Sequence, residues 1–177
     1  KEKEIAAYHE AGHALVAASI PDGDPVQKVS IISRGAAAGY TLKIPTRDRN
    51  LHSYSEFLNE LSTLLGGYTA EKIVYDELTT GASSDLQRAT ELSRKLVTKY
   101  GMSEKLGPRT FGGREEMVFL GRDIAQHRDY SEKTAEEIDA EVKKNISKRS
   151  GRSASCWLYQ FYWRFQSISF DLTGCRS

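Results

Sequence analysis

The HEAGH sequence at residues 9–13 restricts this chain more than any other feature. It matches the pattern H-E-x-x-H, and the apolar spacing of residues 3–19 predicts an α-helix around it. Residues four apart share one face of a helix, so the imidazoles of His9 and His13 can bind one metal ion. Glu10 can then act as general base towards a water that the metal activates. Two solvated histidines with a Glu–His pair would be the ordinary alternative, but the predicted helix favours a zinc site.

A zinc site of this kind needs a third protein ligand. One class of zinc proteases has the extended motif H-E-x-x-H-x-x-G-x-x-H. This chain has Val16 and Ser19 where that motif requires glycine and histidine, so it does not belong to that class. Two carboxylates remain: Glu71, in a long helix predicted over 53–76, and Asp85, in the first turn of the next predicted helix. An aspartate there also stabilises the positive end of the helix dipole, which is an ordinary structural role. Spacing alone does not choose between the two.

The rest of the pattern predicts a mainly α-helical fold with a small β-hairpin. Segments 26–33 and 39–44 alternate loosely and predict its two strands. Zinc peptidases often hold substrate as an added strand on a sheet edge, and Lys28–Ser33 or Tyr40–Ile44 is a candidate for that edge.

Serine and glycine signals mark the predicted helices. Ser53 with Glu56 forms a possible capping box at the start of the long helix, and Ser84 with Gln87 forms another. The glycine pair at 66–67 lies inside the long helix, where each glycine costs about 1 kcal/mol relative to alanine. Close packing against another backbone is therefore the better explanation of the pair.

Ser131 is predicted to cap a last helix, and the composition of the chain changes at about residue 145. Residues 145–177 carry a net charge of +4 and contain both cysteines and both tryptophans, whereas residues 1–144 carry −3. A body without cysteine fits a reducing compartment. The composition of 145–177 resembles translation of a shifted reading frame or of vector sequence, so we expect a domain over 1–144 and an atypical basic, aromatic tail over 145–177. Stacking on nucleic acid and binding to an anionic membrane are alternatives for the tail that no motif supports.

Separated segments carry a resemblance to a known family. They read AYHEAGHALVA at 7–17, KVSIISRG to GYTL at 28–42, LLGGYTAEKIVYDELTTGASSDLQRAT at 64–90, and VFLGRD to HRDYSE at 118–132. In this order they resemble the peptidase domain of the FtsH family. The members of this family are ATP-dependent, membrane-anchored AAA zinc proteases. The resemblance runs over about residues 3–144 and implies a zincin-like HExxH helix in a helical peptidase domain. It also implies that Asp85 is the third zinc ligand and that Glu71 orients a ligand.

The resemblance implies a metalloendopeptidase with one Zn²⁺ per chain, held by His9, His13 and Asp85, with Glu10 as catalytic base. It implies unfolded or membrane-extracted polypeptides as substrates and a homohexamer in the full-length protein. It also implies that ATP is bound only by a separate ATPase module, and no GxxxxGK[ST] phosphate loop occurs in this sequence. The expected location is the cytoplasmic face of a membrane, the bacterial inner membrane above all, with this fragment itself soluble. The net charge of +1 gives no reason to expect a nucleic-acid partner.

Two other functions compete with this one. The chain could be a non-catalytic oligomeric scaffold with an impaired site, although its complete set of His9, Glu10, His13 and Asp85 argues against decay. It could also be a stand-alone soluble peptidase, which would be monomeric and active without an ATPase partner.

Overall fold

Most of the described chain is α-helical, and two strands form an antiparallel sheet beside the helices. The computed structural model describes residues 1–21, 23–32, 39–44, 51–112 and 129–165, with side chains as far as residue 159. The elements in chain order are α1 (Glu2–Ala18), β1 (Val26–Ser30), β2 (Tyr40–Lys43), α2 (Tyr54–Leu64), α3 (Gly66–Tyr75), a 3-10 turn (Thr80–Ala82), α4 (Ser83–Thr98) and α5 (Glu132–Phe165). The predicted fold class, mainly α with a small hairpin, is confirmed. Over the described part of the chain, no helix combines the length and apolar character needed to cross a bilayer.

Helix α1 contains residues 9–13 and packs closely on α3. A Cβ atom added to Gly12 would lie 2.4 Å from the carbonyl oxygen of Gly66, and one added to Gly66 would lie 2.7 Å from the carbonyl oxygen of Gly12. Both distances are far below van der Waals contact, so the two helix backbones can touch only because both residues are glycine. The close backbone packing predicted for the glycine pair is thus confirmed at Gly66.

The single helix predicted over 53–76 is wrong, because a bend at Leu65 divides it into α2 and α3. The backbone bonds from Leu65 N to Leu61 O (3.1 Å) and from Thr69 N to Leu65 O (3.0 Å) continue through the bend. The bend immediately precedes the glycine pair, whose residues resist distortion least. The predicted capping box at Ser53 and Glu56 is present at the start of α2.

Leucines of α2 and α4 form the main core. Leu61, Leu65 and Leu96 are completely buried, and Leu58 and Leu64 are nearly so. A second cluster lies where α4 meets α5, at Val97, Phe111, Ile138 and Val142. These clusters pack α2, α4 and α5 together, and α4 carries Asp85 in its first turn.

The capping box predicted at Ser84 and Gln87 is wrong. Helix α4 already begins at Ser83, directly after the 3-10 turn, and no side chain caps it. The hydroxyl of Thr79 instead accepts a hydrogen bond from Gly81 N–H at 3.1 Å, which stabilises the 3-10 turn. Asp85 lies in the first turn of α4, as predicted.

Helix α5 crosses residue 144 without a break and continues to Phe165. Its predicted cap is present, since the hydroxyl of Ser131 accepts a hydrogen bond from Thr134 N–H at 3.3 Å. Beyond residue 144 the helix still packs on the domain: Ser153 is fully buried and its hydroxyl donates to the Ser62 carbonyl at 2.8 Å. The division at 144 and the foreign origin of 145–177 remain predictions, and residues 166–177 lie outside the described residues.

The hairpin pairs β1 with β2, with Val29 opposite Thr41 and Ser30 opposite Tyr40. Both strands are shorter than predicted, and residues 33–38 between them lie outside the described part of the chain. Both strands contact α1, and these contacts place the sheet over the helix that carries the H-E-x-x-H sequence.

Candidate metal centre

Two helices bring His9, His13 and Asp85 to one point. His9 and His13 lie one turn apart on α1, and Asp85 approaches them from the first turn of α4. The two Nε2 atoms are 3.0 Å apart, and each lies 3.1 Å from Oδ2 of Asp85. These atoms form a nearly equilateral triangle, and within the described residues this is the group of side chains that could hold a metal ion.

The other ring nitrogen of each histidine is already engaged. His13 Nδ1 lies 2.7 Å from the carbonyl oxygen of Thr63, and His9 Nδ1 lies 2.7 Å from Oε1 of Glu71. A carbonyl oxygen can only accept, so His13 Nδ1 carries the proton and donates it. A carboxylate selects the same tautomer for His9. In the neutral form, both rings therefore direct an Nε2 lone pair at Asp85.

This donor set fits a zinc ion. Two Nε2 lone pairs and a carboxylate oxygen repel one another at 3.0–3.1 Å unless a cation lies among them. In a tetrahedral zinc site with bonds of about 2.0–2.1 Å, ligand atoms are about 3.3 Å apart, close to the observed separations. Imidazole nitrogen and carboxylate oxygen are both ordinary zinc ligands.

Glu71 lies behind the triangle rather than in it. Its side chain is 1% exposed, and Oε1 accepts from His9 Nδ1 while Oε2 accepts from Thr79 N–H at 2.9 Å. Of the two carboxylates that the sequence left open, the structure brings Asp85 to the Nε2 atoms and Glu71 to the far side of His9. Thr79 lies in the segment that leads to α4 and Asp85, so its hydrogen bond to Glu71 connects that segment to α3.

Gly67 makes room for the His9 ring. A Cβ atom on Gly67 would lie 2.5 Å from both Cε1 and Nε2 of His9. The second glycine of the predicted pair therefore has a role that the sequence did not indicate: it packs on a metal-facing imidazole. His52 lies apart from the centre with a side chain that is 55% exposed, and His127 lies outside the described residues.

The charges at the centre favour a cation. Burial alone would lower the pKa of His9, but hydrogen bonds to Asp85 and Glu71 outweigh burial and raise that pKa above its ordinary value. Burial would raise the pKa of Asp85, yet hydrogen bonds from His13 and His9 hold it well below its usual range. A proton on an imidazole Nε2 and a metal ion therefore compete for the same atoms.

Glu10 follows His9 on α1 and is 8% exposed, and its carboxylate contacts the hairpin. The hydroxyl of Thr41 on β2 donates to Glu10 Oε2 at 2.9 Å. Sequence reasoning named Glu10 as a candidate but did not indicate its contact with Thr41, nor the contact of His13 with the Thr63 carbonyl. A threonine two residues after a glycine in a short strand was the available signal for Thr41, whereas nothing in the sequence marks the Thr63 carbonyl.

Two helical histidines, a carboxylate from a second helix and an adjacent buried glutamate define a centre of the metallopeptidase class. The family model of Peptidase family M41 matches residues 1–160, so this chain belongs to that family. The match extends past the predicted boundary at residue 144.

Curated relatives carry the name ATP-dependent zinc metalloprotease FtsH. The protein from Caldicellulosiruptor bescii is 56% identical over 148 residues, which are 84% of this chain and 24% of that protein. The FtsH 1 protein from Thermoanaerobacter sp. is 51% identical over 155 residues, 88% of this chain and 25% of that protein. The Thermotoga maritima protein is 51% identical over 148 residues, 83% of this chain and 24% of that protein. The predicted resemblance to FtsH is confirmed, and the chain spans about a quarter of the length of these relatives.

Proposed function

We propose that this chain is a zinc-dependent endopeptidase domain in which His9, His13 and Asp85 hold one Zn²⁺ and Glu10 is the catalytic base. The observation that carries the proposal is the triangle of two Nε2 atoms and Oδ2, with separations of 3.0–3.1 Å. Both Nδ1 atoms are held by acceptors, so the two lone pairs that remain point to the same place.

The residues of the proposed site have different roles in peptide hydrolysis. Zinc, when bound, activates a water molecule and polarises the scissile carbonyl group. Glu10 takes the proton from the attacking water and passes it to the leaving amine. Glu71 and the Thr63 carbonyl keep the two imidazoles in the required tautomer and orientation. Glu10 lies next to a ligand on the same helix, so the base moves with the metal centre.

The substrate backbone is proposed to add to the hairpin as a further strand. Of the two strands that the sequence offered, β2 is favoured because Thr41 and Gly39 contact Glu10. Backbone hydrogen bonds to a strand edge bind extended peptides with little dependence on sequence. Exposed Leu42 and Ile44 add apolar surface there, which suits unfolded polypeptides.

The whole protein is proposed to work as the names of its relatives indicate, with proteolysis coupled to ATP. A separate ATPase module would bind ATP and deliver unfolded or membrane-extracted chains to a homohexamer of zinc sites. Its proposed location is the cytoplasmic face of a membrane, the bacterial inner membrane above all, and no nucleic acid is involved. These proposals rest on the FtsH resemblance.

Zinc content and hydrolysis together test the proposal. The purified chain, dialysed against metal-free buffer, should retain about one zinc, since structural and catalytic zinc sites bind tightly. Glu10→Gln should keep that zinc and lose hydrolysis of a labelled unfolded protein, while Asp85→Asn should lose the zinc. Glu91→Gln and Asp139→Asn, on exposed helix surfaces, are matched controls. Wild-type hydrolysis by Glu10→Gln would refute the role of the base, and unchanged zinc affinity in Asp85→Asn would return Glu71 to consideration as a ligand.

A further inference from the structure

One face of β2 lies directly against Glu10. Successive strand residues point to opposite sides, so positions 39 and 41 share a face. The hydroxyl of Thr41 lies 2.9 Å from Glu10 Oε2 and 3.2 Å from the Glu10 carbonyl oxygen. A single side chain of the hairpin thus reaches both the carboxylate and the backbone of the residue between the two histidine positions of the motif.

The approach depends on the absence of a side chain at position 39. A Cβ atom on Gly39 would lie 2.8 Å from Glu10 Cγ, 3.0 Å from Glu10 Oε1 and 2.7 Å from the Ser30 carbonyl oxygen. Gly39 is buried under these contacts. The backbone immediately before β2 therefore covers the Glu10 side chain on one flank, and the hydroxyl of Thr41 meets the end of that side chain.

We propose that Thr41 is a positioning residue for Glu10. Its hydroxyl carries one proton, and the shorter contact directs that proton to Oε2. A hydrogen bond to a carboxylate is stronger than one to a neutral acceptor. Threonine is also restricted at χ1, so the donor position is fixed by the strand. Oε2 is thereby anchored, which leaves Oε1 as the oxygen to take the proton from the attacking water.

The proposal rests on the proposed role of Glu10 as base. A glutamate side chain has several rotatable bonds, and a misplacement of about 1 Å can cost about 100-fold in rate. An anchor that acts on the base changes the chemical step and leaves substrate binding and zinc binding alone. The expected signature is therefore a lower kcat with an unchanged KM and an unchanged zinc content.

Thr41→Val removes the hydroxyl and keeps the shape, and Thr41→Ser restores the hydroxyl. Thr90→Val is the matched control, since its exposed hydroxyl donates to the Leu86 carbonyl of its own helix at 2.8 Å. With the complete chain, we expect Thr41→Val to lower kcat about tenfold, within the range that misplaced catalytic groups produce. KM and zinc per chain should stay at the wild-type values. Thr41→Ser should recover most of the loss, and Thr90→Val should match wild type.

Thermal unfolding provides a readout that does not depend on activity. A double-mutant cycle compares the Tm values of zinc-loaded wild type, Thr41→Val, Glu10→Ala and the double variant. If the two side chains interact as described, the double variant loses less Tm than the two single losses together.

The results of these experiments distinguish failure of the proposed role of Thr41 from failure of the proposed peptidase function. Wild-type kcat in Thr41→Val, no recovery in Thr41→Ser, or additive Tm losses would overturn the role of Thr41 while Glu10→Gln remained inactive. Zinc loss in Thr41→Val would also overturn it, because the residue would then support the metal. Hydrolysis that survives in Glu10→Gln, or is absent from the wild-type chain, would overturn the proposed function and the positioning role with it.

Discussion

Replacing Glu71 with glutamine tests how far the metal centre depends on the carboxylate behind it. Glu71 is 1% exposed and accepts two hydrogen bonds, from His9 Nδ1 at 2.7 Å and from Thr79 N–H at 2.9 Å. Glutamine has the same shape but only one acceptor oxygen. Whichever way the amide is turned, its NH₂ group faces one of the two donors, so one buried hydrogen bond is lost.

The size of the effect follows from that lost bond. A hydrogen bond to a charged group contributes about 1.5–3 kcal/mol, and a buried donor without a partner costs about 1–3 kcal/mol. Substitution of a group that orients a metal-binding histidine typically weakens metal affinity about 10–100-fold, which is about 1.4–2.8 kcal/mol. The two ranges agree. We therefore expect Glu71→Gln to raise the zinc dissociation constant about 10–100-fold.

Competition with a chelating dye at neutral pH measures this dissociation constant directly. Glu77→Gln, an exposed glutamate just after α3, is the matched control and should bind zinc like wild type. Thermal unfolding of the metal-free chains should also show a loss in Glu71→Gln, because a buried hydrogen bond is missing whether or not metal is bound. If Glu71→Gln bound zinc as tightly as wild type, the orientation of His9 would not depend on this carboxylate and the reasoning would be refuted.

Three further predictions concern the same centre. Gly67→Ala should lose zinc, because its Cβ would lie 2.5 Å from the His9 ring, and elemental analysis would show it. Gly12→Ala should lower the free energy of unfolding by about 3 kcal/mol or more through overpacking on Gly66, measured by urea unfolding. Zinc affinity should weaken as pH falls, because protons compete with zinc for the imidazole nitrogens. Since the pKa of His9 is raised, this weakening should begin at a pH above the ordinary pKa of histidine. A pH-independent dissociation constant would contradict this.

Local signals in the sequence predicted the elements that depend on neighbouring residues. The capping box at Ser53 with Glu56 and the cap at Ser131 are both present, and the H-E-x-x-H residues lie on a helix. The capping box at Ser84 failed because the 3-10 turn, held by Thr79, starts α4 two residues earlier than an N-cap at Ser84 would. Capping patterns describe only a few residues, so they do not register what the preceding turn requires.

Contacts between distant segments were less accessible to sequence reasoning. The residues alone left Glu71 and Asp85 as equal candidates, because helix spacing carries no information on which carboxylate meets α1. Which carboxylate meets α1 depends on the direction of α3 after the bend at Leu65 and on the direction of α4 after the 3-10 turn. The sequence analysis predicted neither the bend nor the turn. Thr41 and Gly39 were missed for the same reason, since only the pairing of the hairpin over α1 brings them to Glu10.

The metal centre also connects parts of the chain that are far apart in sequence. His9 contacts Glu71 and Asp85 across 62 and 76 residues, and each such contact must overcome the entropy of closing a long loop. Glu71 reduces the number of independent closures, because one buried carboxylate holds both His9 and the segment that leads to Asp85. In the proposed site, a metal held at three points would stabilise the same arrangement, which would link metal affinity to folding. The centre is therefore part of what holds α1, α3 and α4 together as well as the proposed site of chemistry.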